Sequence, residues 1–137
     1  MSYFKETITK NIADIEFSNA PASATTLHDV QQKLGCIFGT QLKSYLLEFG
    51  YLACGPNEMY GVNERQKMES DLVKVSEMLH LDFSKTKAMV AVDNQGDGDY
   101  ILCDSNDMVY EFIPSDKDEI IPLNQTLLEY ILTRLGD

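Results

Sequence analysis

The residues whose types and spacing could do chemistry are concentrated in one stretch, Asp93-Asn94-Gln95-Gly96-Asp97-Gly98-Asp99-Tyr100. Alternating carboxylates with glycine between them are what a cation-holding loop needs: oxygen ligands at short intervals on a backbone free to turn sharply. Extended to Asp104, the stretch places Asp93, Asp97, Gly98, Tyr100 and Asp104 at the first, fifth, sixth, eighth and twelfth positions of an EF-hand-like loop. Against this, the third position is Gln95, the twelfth is Asp instead of a bidentate Glu, and the flanks MVAV and YILC read as strands instead of helices. Calcium binding is therefore an alternative reading. The main one is a tight turn between two strands, where Asp, Asn and Gly recur for backbone reasons alone.

Other chemistry finds less support. Cys54-Gly55-Pro56 resembles the middle of a thioredoxin-type turn, but Asn57 stands where the second cysteine must be, so disulfide exchange has no partner. His28 and His80 are the only histidines, and neither belongs to a metal-ligand motif. Nucleophile-elbow, phosphate-loop and dinucleotide-loop signatures are missing. Asp97 and Asp99 could be imagined as an acid and base pair, but a glycine-bearing turn offers no apolar pocket to separate their pKa values. The expectation is a non-enzymatic protein without cofactor or metal.

Charge points to the kind of partner. The chain has 22 acids and 11 bases, a net charge of −11, which repels nucleic-acid backbones and anionic membranes. Residues 1–92 hold 11 acids and 9 bases, whereas residues 93–137 hold 11 acids and 2 bases. Almost all the excess lies in the last third. Three cysteines at wide spacings suit reduced, buried thiols, and together with the lack of a leader or a long apolar run they lead to the expectation of a cytoplasmic protein.

The elements that must position these residues follow from periodicity. Helical spacing of apolar residues predicts helices over 3–16, over a short segment capped near Thr26 and ended by Gly35, over 40–49, and over about 64–80, the last including Met68. Tyr51 to Ala53 and Glu58 to Val62 flank a Gly55-Pro56-Asn57 turn and read as a hairpin. Lys87 to Val92, Tyr100 to Cys103 and Met108 to Ile113 read as an antiparallel meander. A polar loop between Pro114 and Pro122 then leads to a final helix capped by Asn124, with Leu127, Leu128, Ile131 and Leu135 on its apolar face. The predicted fold is a single α+β domain over residues 1–137, with an antiparallel sheet flanked by N-terminal helices and a C-terminal helix around one core.

In a meander, alternate turns fall at the same end of the sheet. Asp93, Asp97 and Asp99 are thus expected beside Asp116, Asp118 and Glu119, with Asp104 and Asp107 at the opposite end. Carboxylates gathered at one edge create the potential that attracts a basic protein partner, and Tyr60 could add contact area nearby.

Leu34-Gly35, the helix LKSYLLEFG (42–50), Glu58-x-Tyr60-Gly61-Val62, MVAVDNQGDGDYILCD and the late helix LLEYI (127–131) together resemble the SUKH superfamily, which includes the Smi/Knr-type regulators and bacterial immunity proteins. The similarity spans about residues 25–135. The chain departs from the family where Phe38-Gly39 replaces a frequent Leu-Pro pair and where the sheet lacks tryptophan. The resemblance implies an α+β fold without catalysis. It also implies an immunity protein that binds and neutralises a polymorphic or contact-dependent toxin, such as a basic nuclease domain. A regulatory adaptor of the same fold is the alternative. The expected partner-binding residues are Glu58, Tyr60, Asp93, Asp97, Asp99, Asp116, Asp118 and Glu119.

Overall fold

A computed structural model describes residues 2–62, 71–96, 98–114 and 118–136. It is an α+β structure with two antiparallel sheets. Helix α1 (Tyr3–Asn11) buries Phe4 and Ile8 and is capped by the Ser2 side chain, which accepts from the Lys5 amide. It is shorter than the 3–16 periodicity predicts. Ile12 leaves the helix in an extended conformation, Asp14 turns the chain at φ 56°, and Glu16–Phe17 forms β1. Tertiary pairing overrides the continued apolar spacing there.

Helix α2 (Ala24–Leu34) starts from Ser23, whose side chain accepts from the Thr26 amide, so the cap precedes the expected Thr26. Gly35 ends it in the left-handed conformation, at φ 67°. Helix α3 (Thr40–Glu48) follows, with Leu42, Tyr45 and Leu46 buried. The hairpin β2 (Leu52–Cys54) and β3 (Asn57–Glu58) pairs with β1 in the order β1-β2-β3. Residues 59–62 bridge to the larger sheet: the Met59 and Val62 amides donate to the Leu52 and Gly50 carbonyls, and the Tyr60 amide donates to the Val92 carbonyl. Gly61 is needed at this crossing: a Cβ there would overlap the Gly50 carbonyl.

Helix α4 (Leu72–Asp82) is capped by Asp71, whose carboxylate accepts from the Val73 and Lys74 amides. The first part of its expected range, including Met68, lies outside the described residues. A 3-10 turn at Ser84–Thr86 leads into the four-stranded sheet of β4 (Val90–Asn94), β5 (Tyr100–Cys103), β6 (Met108–Ile113) and β7 (Glu119–Thr126), ordered β4-β5-β6-β7. The meander thus has a fourth strand where a polar loop was expected. Pro122 made that segment read as a loop, but an edge strand tolerates proline because one side of its backbone needs no partner. The last helix α5 (Leu127–Leu135) is capped by Thr126 and Glu129 in a capping box, not by Asn124, which sits in β7 at φ 58°.

Helix α4 packs on β4, α5 packs on β6 and β7, and α1 contacts both α3 and α5. One continuous core joins these layers, centred on fully buried Tyr45, Phe49, Met59 and Phe112.

Candidate functional site

The β4–β5 turn is set by two glycines in the left-handed region, Gly96 and Gly98 at φ 79° and 83°. It is closed by the Gln95 amide on the Asp99 carbonyl and the Asp99 amide on the Gly96 carbonyl, at 2.9 and 3.1 Å. In the register, Asn94 faces Tyr100, Tyr100 faces Phe112 and Ile113 faces Glu119. The β4–β5 and β6–β7 turns therefore share one end of the sheet. Asp99 and Asp118 are half-buried there and Glu119 is exposed. Asp97 and Asp116 lie outside the described residues.

Asp93 does not belong to this surface. It sits on β4, paired with Ile101, and is fully buried. Its Oδ2 accepts from the Tyr130 hydroxyl at 2.6 Å and from Arg134 Nε at 3.0 Å, and its Oδ1 accepts from the Asn94 amide at 2.8 Å. Burial pushes the carboxyl up from its ordinary value, against the opposing pull of Tyr130, Arg134 and the amide. Burial and the Asp93 charge likewise hold the Tyr130 hydroxyl well above the usual phenol range. The expectation of an exposed Asp93 fails because the sequence position next to the turn says nothing about a cation on α5, 41 residues away.

This buried group also anchors the turn. Gln95 Nε2 lies 3.4 Å from the Tyr130 hydroxyl, and Asn94 Nδ2 donates to the Tyr60 hydroxyl at 2.9 Å. Tyr60 is buried, and its carbonyl accepts from the Tyr45 hydroxyl. The E-x-Y-G segment thus abuts the acidic end of β4, with Tyr60 bracing it from inside and Glu58 exposed on β3.

The opposite end of the sheet uses its aspartates differently. Asp107, at φ 64°, is buried, and its two carboxylate oxygens accept from the Gln41 and Leu42 amides at 3.0 Å each. It caps α3 from the remote β5–β6 turn, while Gly39 at the N-cap position supplies no side chain. A methyl group on Gly39 would overlap this carboxylate. The Asp107 carbonyl accepts from the Leu127 amide at 2.7 Å, and Gln41 Oε1 accepts from the Leu128 amide at 2.8 Å, so the same contact caps α5. Asp104 accepts from the Asn106 and Met108 amides and from the Tyr110 hydroxyl.

The EF-hand-like reading fails on this geometry. Asp93 is committed to Arg134 and Tyr130, and Asp104 stands at the far end of β5, roughly 10 Å of strand beyond the partner of Asp93. Among the described residues, no group of three or more His, Cys, Asp or Glu side chains is placed to hold a metal ion. Cys36 and Cys103 are buried, with burial raising both thiols, whereas Cys54 is half-buried and so departs from the expected core position. His28 is exposed on α2, and His80 is half-buried, with Nε2 2.6 Å from the Met89 carbonyl oxygen.

The family profile described as SMI1-KNR4 cell-wall, SUKH_5, matches residues 4–131. The chain belongs to the SUKH family. No characterised protein matches it at a significant level. SUKH domains are generally non-catalytic and protein-interacting, and they are often immunity proteins. No helix among the described residues is long and apolar enough to cross a membrane. The SUKH match takes in α1, which the sequence resemblance began after, and reaches Tyr130 on α5 but stops short of Arg134. Arg134 was a missed residue. A signal was present: it is the one arginine after residue 92, four residues from Tyr130 on a helix whose neighbouring positions are core.

Proposed function

We propose that this SUKH protein is a non-enzymatic immunity-type binder that neutralises a basic toxin domain through the acidic end of its four-stranded sheet, in the cytoplasm. The observation that carries the reading is the register that brings Asp99, Asp118 and Glu119 to one end of the sheet. Residues 93–137 have 11 acids against 2 bases, and Arg134 is already committed to Asp93. A basic surface built to grip phosphate finds there a protein mimic of that charge, and electrostatic steering speeds its capture. Glu58 lies on the adjacent small sheet, and Asp97 and Asp116 belong to the same acidic stretches of sequence. Tyr60 and Asp93 act from beneath, by holding the turn.

The test is co-expression with the variable C-terminal domain of a large toxin encoded beside this gene. Wild-type protein is expected to restore growth, and Asp99→Lys/Asp118→Lys/Glu119→Lys to lose the rescue while remaining folded. Rescue by the triple variant, with unchanged affinity and salt dependence, would remove the acidic end from the interface. A toxin-free gene neighbourhood, with a different protein recovered as the stoichiometric partner, would instead point to the adaptor role.

A further inference from the structure

A second surface carries two lysines, Lys85 and Lys87, with no ion-pair partner among the described residues. Between the end of α2, the last turns of α4 and the 3-10 turn lies an open groove of about 700 Å³, bordered by Lys33, Leu34, Glu77, His80, Leu81 and Lys87. Leu81 is 87% exposed, and Ile37, three residues beyond Leu34, is 75% exposed. The other leucines of α4, Leu72 and Leu79, are in the core. The Cys36 thiol lies 3.1 Å from the Lys87 carbonyl oxygen, which brings the chain at Ile37 beside Lys87.

The charges here are mixed, with Lys33 and Lys87 against Glu77 in the lining and Asp82 next to Leu81, and lysine is in excess once Lys85 is counted. Residues 83–92 contain Lys85 and Lys87 and no acid, in a chain whose net charge is −11. Among the described residues, no carboxylate lies within 4.0 Å of either lysine. Lys33 pairs with Glu77 at 3.7 Å, but both side chains are substantially exposed, so the pair contributes little and can exchange partners. The wall is held in place: His80 and the Cys36 thiol both engage carbonyls of residues 87–89, so little ordering cost remains for a ligand.

We propose that this groove is a second docking surface, for a protein segment that carries carboxylates beside a large apolar side chain. The apolar side chain would pack on Leu81, and the carboxylates would meet Lys87 in the lining and Lys85 beside it. An anionic membrane has the same two chemistries but is a poorer fit. A flat charged sheet senses the whole molecule at −11, whereas a narrow segment senses mainly the groove. This surface stands independently of the acidic end and of its toxin.

The test is an NMR titration of the isotope-labelled protein with two amphipathic peptides of equal leucine content, one built on Glu and Leu and the other on Lys and Leu. The Glu/Leu peptide is expected to give saturable shifts in residues 33–37 and 77–89, weakening as salt is raised. Leu81→Ser and Lys85→Glu/Lys87→Glu are each expected to lower its affinity about tenfold, with the unfolding midpoint unchanged. The proposal is overturned if those residues do not shift, if the Lys/Leu peptide shifts them equally, or if the variants bind as wild type. Association in sedimentation that the same substitutions abolish would assign the groove to a second copy. Their loss of binding to phosphatidylserine vesicles, without peptide binding, would assign it to a membrane. Either result also overturns the proposal.

Discussion

The two ends of the four-stranded sheet are both rich in aspartate, yet only one presents them. At the end formed by the turn through residues 104–107, Asp107 caps α3 and Asp104 ties its own turn, so the carboxylates are engaged by backbone amides. At the other end the turn geometry comes from Gly96 and Gly98 and from backbone hydrogen bonds, and among the described residues no amide is capped by Asp99. Identical residue types at equivalent places in a meander thus serve folding at one end and are available for recognition at the other. Glycine at the turn is what makes that division possible, because it meets the conformational demand without a side chain.

The strongest way to break this comparison is to remove Asp93, the carboxylate that faces inward beside the acidic end. Asp93→Ala leaves Arg134 and the Tyr130 hydroxyl without their acceptor, and a loss of about 3–5 kcal/mol in urea unfolding is expected, as for other broken buried pairs. A loss within 0.5 kcal/mol, the range of ordinary surface changes, would return Asp93 to the surface set.

Asp107→Ala comes next. Two helix amides lose their acceptor, and a cost of about 2 kcal/mol is expected. Gly39→Ala should cost a similar amount by displacing the same carboxylate. The double variant should then be no less stable than either single one, and additive losses would show that the two residues act separately.

The pH dependence sharpens the contrast more gently. Because the native Asp93 carboxyl titrates above its ordinary 3.8, the folded state retains a proton that the unfolded state has lost. Stability from this group is therefore full below 3.8 and falls as pH rises through the native value. Wild-type protein should lose stability relative to Asp93→Asn across that window, measured by urea unfolding at successive pH values, and the opposite slope would contradict the assignment.

The smallest effect on stability is expected from Asp99→Lys/Asp118→Lys/Glu119→Lys, about 1 kcal/mol or less, most of it from placing lysine at the φ of 55° that Asp118 holds. Calorimetry should register the change in unfolding, while the effect on partner affinity should be large. A strongly destabilised triple variant would mean that this end, too, serves the fold.

Much of this arrangement was legible before the structure. The stripe Leu42, Tyr45 and Leu46 located α3, and the β-branched and aromatic runs located β5 and β6. The shared end of the two turns followed from meander connectivity. What local pattern could not reveal were features decided by remote partners. Strand β7 is a strand because β6 pairs with it, despite Pro122, and Asp93 is buried because Arg134 reaches it. Gly39 read only as a departure from the Leu-Pro frequent in the family, until Asp107 was seen filling the space a side chain would need.

Pro122 carries a consequence for evolution as well as for folding. With one amide donor deleted and Asn124 twisted to φ 58° two residues later, the outer edge of β7 is a poor template for another strand. Recognition is thereby directed away from backbone pairing, whose hydrogen bonds are much the same for every sequence, and toward side chains at the strand ends. New specificities can then arise by exchanging a few exposed residues, while the scaffold beneath them stays as it is.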